Sequence, residues 1–277
     1  MTPTASIRPP AVAGMFYPGS ARELSGDLAA MLGEAHPPAL TPKALIVPHA
    51  GYVYSGPVAA TAYALLSPLR DRIRRVVLLG PTHRVAVRGI AVPSVAAFAT
   101  PLGVVAVDRE AIASLAGIPQ VGISDAAHAQ EHSLEVHLPF LQTVLGQFAL
   151  VPLAVGLVSS GDVAVVLERL WGGDETLIVI SSDLSHYHGY EAARRLDRDT
   201  ADRILRLENL EDHDQACGAT PINGLLQVAR HKGLAPTLLD LRNSGDTAGD
   251  RSRVVGYASF AFTEHGAAPA ARDDATN

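Results

Sequence analysis

The sequence predicts an α/β fold, a single three-layer αβα sandwich with helices on both faces of a mixed central sheet. Three observations predict it. Apolar runs of strand length, at 44–47, 75–80, 150–155 and 176–181, alternate with stretches whose apolar residues recur at helical spacing. Residues 89–107 alternate and carry Pro and Gly punctuation, which reads as two short strands and makes the sheet mixed rather than purely parallel. No internal repeat or composition shift divides the chain before its end, so residues 1–265 are read as one domain.

The elements follow in order. Residues 1–10, rich in Pro and Thr, form an extended arm. Ser20-Ala-Arg-Glu23 is a capping box, followed by Leu24, Leu28, Met31 and Leu32 on one helical stripe. Ala44–Val47 is a buried strand that runs into Pro48-His49-Ala-Gly51. Pro57 opens a helix, since proline suits a first helical position. Arg75–Gly80 is a strand ending at Pro81-Thr82-His83, and Asp108 caps a helix reaching about Leu115. Residues 131–145 are mainly helical, with Pro139 as a kink. Strand 150–155, a helix near 163–170 and the central strand Thr176–Ser181 come next. Helices at 190–207 and 221–231, the latter capped by Thr220, precede closing strands at 238–241 and 254–262. The tail 266–277 reads as disordered.

Composition excludes several classes. Twenty-two basic against 28 acidic residues leave −6, which gives no electrostatic footprint for nucleic acid or anionic membrane. The longest apolar runs fall far short of the roughly 20 residues that span a bilayer. The start lacks the apolar core of a signal peptide, and a lone Cys217 cannot form an internal disulfide, so the expected compartment is the cytoplasm. There is neither a phosphate-binding P-loop nor a G-x-S-x-G elbow.

Sites in open α/β sheets form beyond the carboxyl ends of the strands. Three apolar strands here run into a histidine within a few residues: His49, His83 and His186, the last preceded by Asp183 in Ser181-Ser-Asp-Leu-Ser-His186. Neutral imidazole is a common ligand of transition metals, and His49 and His83 lie side by side if their strands are neighbours. Cys217, just before a helix, is either a further ligand or a small buried hydrophobe, and spacing alone favours the latter. In Glu131-His132-Ser-Leu-Glu135-Val-His137, the two glutamates share a helical face beside His132. That segment is either a carboxylate-supported acid/base histidine or a solvated face. Tyr52 and Tyr54 project from one side of a loop, as pocket wall or proton donor, and His128 reads as a surface residue. The polar loop 243–252 is a hairpin connection or a rim around the site.

Taken together, Ala11–Gly19, Pro48–Tyr52, Gly80–His83, Glu131–Pro139, Ser181–His186 and Ser244–Ser252 resemble the Memo family, known in bacteria as AmmeMemoRadiSam system protein B. The resemblance runs from about residue 7 to 263. It implies a fold like that of the class III extradiol dioxygenases, which use non-haem iron, and one mononuclear metal site. It places two histidine ligands at His49 and His83 and a cysteine ligand at Cys217, reversing the reading from spacing. It carries catalytic roles onto Asp183, His186 and His132, with a looser match at Tyr54. The implied cofactor is one divalent transition metal, iron or copper, with zinc as the alternative. The implied partners are radical-SAM and AMMECR-type proteins, by gene grouping, and an unidentified small-molecule or peptide substrate. The expected function is a dioxygenase-like redox enzyme. The alternatives are a zinc-dependent hydrolase and a non-enzymatic metal- or peptide-binding protein.

Overall fold

The computed structural model describes residues 6–247 and 249–264. The first five residues of the predicted arm and the predicted tail lie outside them. In chain order the elements are β1 (Ile7–Arg8), α1 (Ala21–Glu34), β2 (Ala44–Val47), α2 (Tyr52–Tyr63), β3 (Arg75–Pro81), β4 (Ile90–Val92), β5 (Ala97–Thr100), β6 (Gly103–Ala106), α3 (Arg109–Ala113), β7 (Val121–Ile123), α4 (Asp125–Ala129), α5 (His132–Glu135) and α6 (Leu138–Val144). They continue with β8 (Ala149–Val155), α7 (Ser160–Arg169), β9 (Thr176–Ser181), β10 (His186–His188), α8 (Tyr190–Leu205), α9 (Ala219–Lys232), β11 (Ala235–Asn243), α10 (Ser244–Thr247) and β12 (Val254–Thr263).

The alternation of side chains along a strand builds the three layers. Leu45, Val47, Val76, Leu78, Leu177 and Val179 point into one core, covered by α1, α2 and α6. Their strand neighbours Ala44, Ile46, Val77, Leu79, Ile178 and Ile180 point into the other, covered by α7, α8 and α9. Both faces are closed, which is why the central positions of these strands are apolar on both sides.

The main sheet runs β10-β12-β2-β9-β3-β8-β4-β7, with β11 paired to β12. β2, β9, β3 and β8 are mutually parallel, whereas β12 and β4 pair antiparallel to β2 and β8. The sheet is therefore mixed, but not through the predicted hairpin. Residues 89–107 hold three strands; β5 and β6 form the hairpin in a separate small sheet with β1, and only β4 joins the main one.

Local chemistry sets most boundaries as predicted. Ser20 accepts from the Glu23 N–H to start α1, and Asp108 accepts from the Ala111 N–H to start α3. Several ends shift by a few residues, β11 covering 235–243 rather than 238–241, and three differences have a local cause. α2 begins at Tyr52 rather than Pro57, because Gly51 takes the cap position and accepts from the Tyr54 and Ser55 N–H groups. Pro57 then costs only the hydrogen bond to Val53, an exposed residue. The 131–145 stretch splits into α5 and α6, the second carrying Pro139 in its first turn. α9 is capped by Gly218 rather than Thr220. A Cβ at Gly218 would lie 2.7 Å from the Ser181 carbonyl oxygen and from Ser182 Cβ, so only glycine lets the start of α9 pack on the end of β9.

Candidate metal centre

Parallel register puts the carboxyl ends of β2, β9 and β3 in a row, with Val47 beside Ser181 and Leu79 beside Ile180. The strands that lead into His49 and His83 are thus not neighbours, yet the two ring centroids are 5.2 Å apart. β9 stands between those strands, and that insertion supplies the residues that orient the first histidine.

His49 Nδ1 lies 2.6 Å from Ser181 Oγ. Ser181 gives its one hydroxyl proton to the Ser133 carbonyl, 2.6 Å away, so its oxygen must accept from the imidazole. His49 is therefore held as the Nδ1–H tautomer, leaving a lone pair on Nε2. The same logic applies to His83. Its Nδ1 donates to Glu131 Oε1 at 2.8 Å, and its backbone N–H donates to Glu131 Oε2 at 2.5 Å. Burial alone would raise the Glu131 pKa, but the hydrogen bonds from His83 and from the Ser133 N–H pull it down to about 2. As a permanent carboxylate Glu131 can only accept, which fixes the proton on His83 Nδ1 and frees its Nε2.

His132 completes the cluster. One ligand atom from each of His49, His83 and His132 lies within 4.8 Å of the others, so the three could hold an ion. Burial and the neighbouring His83 push the His132 pKa down to about 4. Burial, with His83 and His132 adding to it, pushes that of His49 well below its ordinary value, so both rings are neutral at pH 7. His132 Nδ1 is 3.3 Å from Glu131 Oε1 but buried without a hydrogen bond, the pair being misaligned.

Cys217 Sγ sits 3.4 Å from His49 Nε2 and stands outside the mutual trio. Burial, reinforced by Asp183, pushes its thiol pKa up to about 12. Two donors about 2.1 and 2.3 Å from one tetrahedral ion would themselves be roughly 3.5 Å apart, so this spacing suits a shared metal. Cys217 would hold such an ion as the thiolate.

Asp183 accepts from the His49 N–H at 2.7 Å, and burial raises its pKa to about 7 against the N–H groups of His49 and Ala50. Its Oδ2 is 4.0 Å from His49 Nε2, a spacing that makes no ion pair while the ring is neutral. A cavity of about 600 Å³ opens onto the histidines; His186, Tyr54, Phe16 and Arg253 help to wall it. Cys217 lies on a smaller depression of about 430 Å³ that shares His83 with the first.

The predicted residues thus all gather at one end of the sheet, with different emphasis. Tyr54 is on the first turn of α2, not in a loop, and Tyr52 turns away into the core. His128 is buried, not on the surface, with Nε2 against the Ala91 carbonyl at 3.0 Å. Glu131 and Glu135 are both buried and do separate work, the second binding the N-terminal arm. The segment after β11 is both a hairpin connection and a rim: it joins the antiparallel pair β11 and β12 and puts Ser244, in α10, and Asp250 on the cavity. Ser181 and Phe16, whose ring centroid is 4.8 Å from that of His132, were not singled out as site residues. The sequence signal for Ser181 was a polar residue closing the four-residue apolar run Leu177–Ile180.

A family model described as "Memo-like protein" matches residues 8–261. The chain belongs to the Memo family. Curated relatives named MEMO1 family protein are 37% identical over 268 residues in Aquifex aeolicus and 36% identical over 283 residues in Sulfolobus acidocaldarius; each match covers 92% of this chain and 99% of the relative. The crystal structure of an uncharacterized protein from Escherichia coli K12 superposes with a TM-score of 0.51 at 16% identity, covering 78% of this chain and 98% of that one. At that identity the likeness concerns the fold alone. No helix of the Memo-family chain, among its described residues, is long and apolar enough to cross a membrane.

Proposed function

We propose that this Memo-family chain is a mononuclear metal-dependent redox enzyme, dioxygenase-like, with His49, His83 and Cys217 as ligands. The carrying observation is that two imidazoles are locked with Nε2 lone pairs by acceptors, Ser181 and Glu131, that cannot donate back. Histidines oriented in this way by a hydrogen bond to the far nitrogen are the usual pattern behind a metal. An iron or copper ion would supply one-electron chemistry toward dioxygen or an organic substrate, and a thiolate suits either metal. The protein's own part is orientation and proton handling. His132 and His186 carry protons at the cavity wall, Asp183 holds the His49 backbone, Tyr54 lines the entrance, and Phe16 covers His132. On the resemblance already given, radical-SAM and AMMECR-type proteins are its proposed partners, and the cytoplasm, where one free thiol stays reduced, its compartment.

The mutual spacing of His49, His83 and His132 favours a second reading, a zinc hydrolase with three imidazole ligands and an open fourth position. Metal analysis of protein purified without added metal separates the two. The redox reading predicts iron or copper near one equivalent, lost in Cys217→Ser and kept in His132→Gln. Zinc retained in Cys217→Ser and lost in His132→Gln would support the hydrolase. Full occupancy in both His49→Ala and His83→Ala would remove the site altogether.

A further inference from the structure

We infer that Arg253, presented by the ring of Tyr187, is an anchor for the carboxylate of a small organic acid bound in the 600 Å³ cavity. The inference rests on the proposed metal centre for the purpose of the cavity, but not for the anchor's chemistry. Three observations carry it. Both residues line that cavity, and both are exposed. The Arg253 guanidinium carbon lies 5.0 Å from the centroid of the Tyr187 ring, and the arginine makes no salt bridge among the described residues. A guanidinium held over a ring through its carbon spends no N–H donor on that contact, and its planar fork of donors matches a carboxylate. The nearby Asp250 turns one oxygen to Ser252, whose N–H and hydroxyl both donate to Oδ1 at 2.6 Å, and its carboxylate forms no ion pair with Arg253.

The third observation is the backbone under the ring. Tyr187 has φ of 62°, one of two residues other than glycine with positive φ among the described residues. Bulky side chains avoid that region, so the surroundings must impose it. The register between β10 and β12 shifts at the same place, where His186 pairs with Val255 and His188 with Val254. Such a bulge re-aims side chains. Here it sets Tyr187 beside Arg253, the residue that precedes β12, and beside His186, whose ring centroid is 5.8 Å away. The strained residue, the bulge and the uncommitted arginine thus meet on one wall, opposite no other arginine or lysine of that cavity. An acid anchored there presents its remaining atoms to the histidines that the same cavity exposes.

Titration calorimetry with benzoate, its neutral isostere benzamide and inorganic phosphate as probes tests the anchor on metal-free protein. Benzoate is expected to bind and benzamide not, with Arg253→Gln weakening benzoate at least tenfold and metal loading unchanged. Tyr187→Gly relieves the backbone, so it should leave the melting temperature equal or higher while still weakening benzoate. Equal benzoate affinity in wild type and Arg253→Gln, or equal binding of benzamide, would overturn the anchor. Arginine-dependent binding of phosphate but not of benzoate would overturn the carboxylate assignment. Benzoate binding in a protein that takes up no metal would instead sink the proposed function and leave the anchor standing.

Discussion

Glu131→Gln is expected to lower metal affinity by about 10- to 100-fold and folding stability by on the order of 3 kcal/mol. The carboxylate accepts four hydrogen bonds that join three parts of the site. Its two oxygens take the ring and backbone N–H of His83, and its Oε1 also takes the backbone N–H groups of His132 and Ser133. An amide has one acceptor and one donor end. Its donor edge then faces either the His83 backbone N–H, which pushes the segment carrying His83 away, or the His83 ring, which is expelled or flips its tautomer. A flipped His83 puts its proton on Nε2, where an ion would bind. The affinity loss is read by competition with a chromophoric chelator, and the stability loss by urea denaturation of metal-free protein. Unchanged affinity would mean that the tautomer argument does not govern the site.

Glu135→Ala is expected to destabilise the fold by about 3–5 kcal/mol, because it leaves a buried guanidinium without its counter-charge. Arg8 and Glu135 pair at 2.7 Å with side chains 4% and 0% exposed. Glu135 also accepts from the Tyr17 hydroxyl at 2.6 Å and from the N–H groups of Ala11 and Val12. Arg8 in turn donates to the carbonyls of His128 and Glu131, and its guanidinium carbon sits 4.9 Å from the Phe98 ring centroid. This pair is the clamp that holds the N-terminal segment against α5, and the same segment carries Phe16 onto His132. The double variant Arg8→Met, Glu135→Gln should lose less than the sum of the two single changes, since it leaves no lone charge. A loss below about 1 kcal/mol in Glu135→Ala, measured by denaturant midpoint, would show that the arm is not anchored there.

The clamp also marks the limit of what could be read from the chain. Arg8 fell in a segment predicted as an extended arm, and its partner lies 127 residues away. No local pattern links them. Strands, by contrast, were legible: Ala44–Val47 and Thr176–Ser181 have the predicted boundaries, because a strand covered on both faces carries an unbroken apolar run. Caps with a side-chain acceptor, at Ser20 and Asp108, were equally plain. The start of α2 was missed because the cap there is a glycine carbonyl, which leaves no side-chain signature, while Pro57 offered a false one. His128, set among alanines, gave no sign of burial; that depended on β4 passing over it. His49, His83 and Asp183 could be found because strand ends in this architecture converge on one edge. The order β2-β9-β3 could not be found, and it is that order which places Ser181 behind His49.

X-ray absorption on the metal-bearing protein addresses the central claim most directly, namely that one ion sits on the fixed Nε2 atoms of His49 and His83. The account predicts nitrogen neighbours at about 2.0–2.1 Å with the outer scattering of at least two imidazoles, and one sulfur at about 2.3 Å from Cys217. A shell of oxygen atoms alone, with no imidazole scattering, would contradict it.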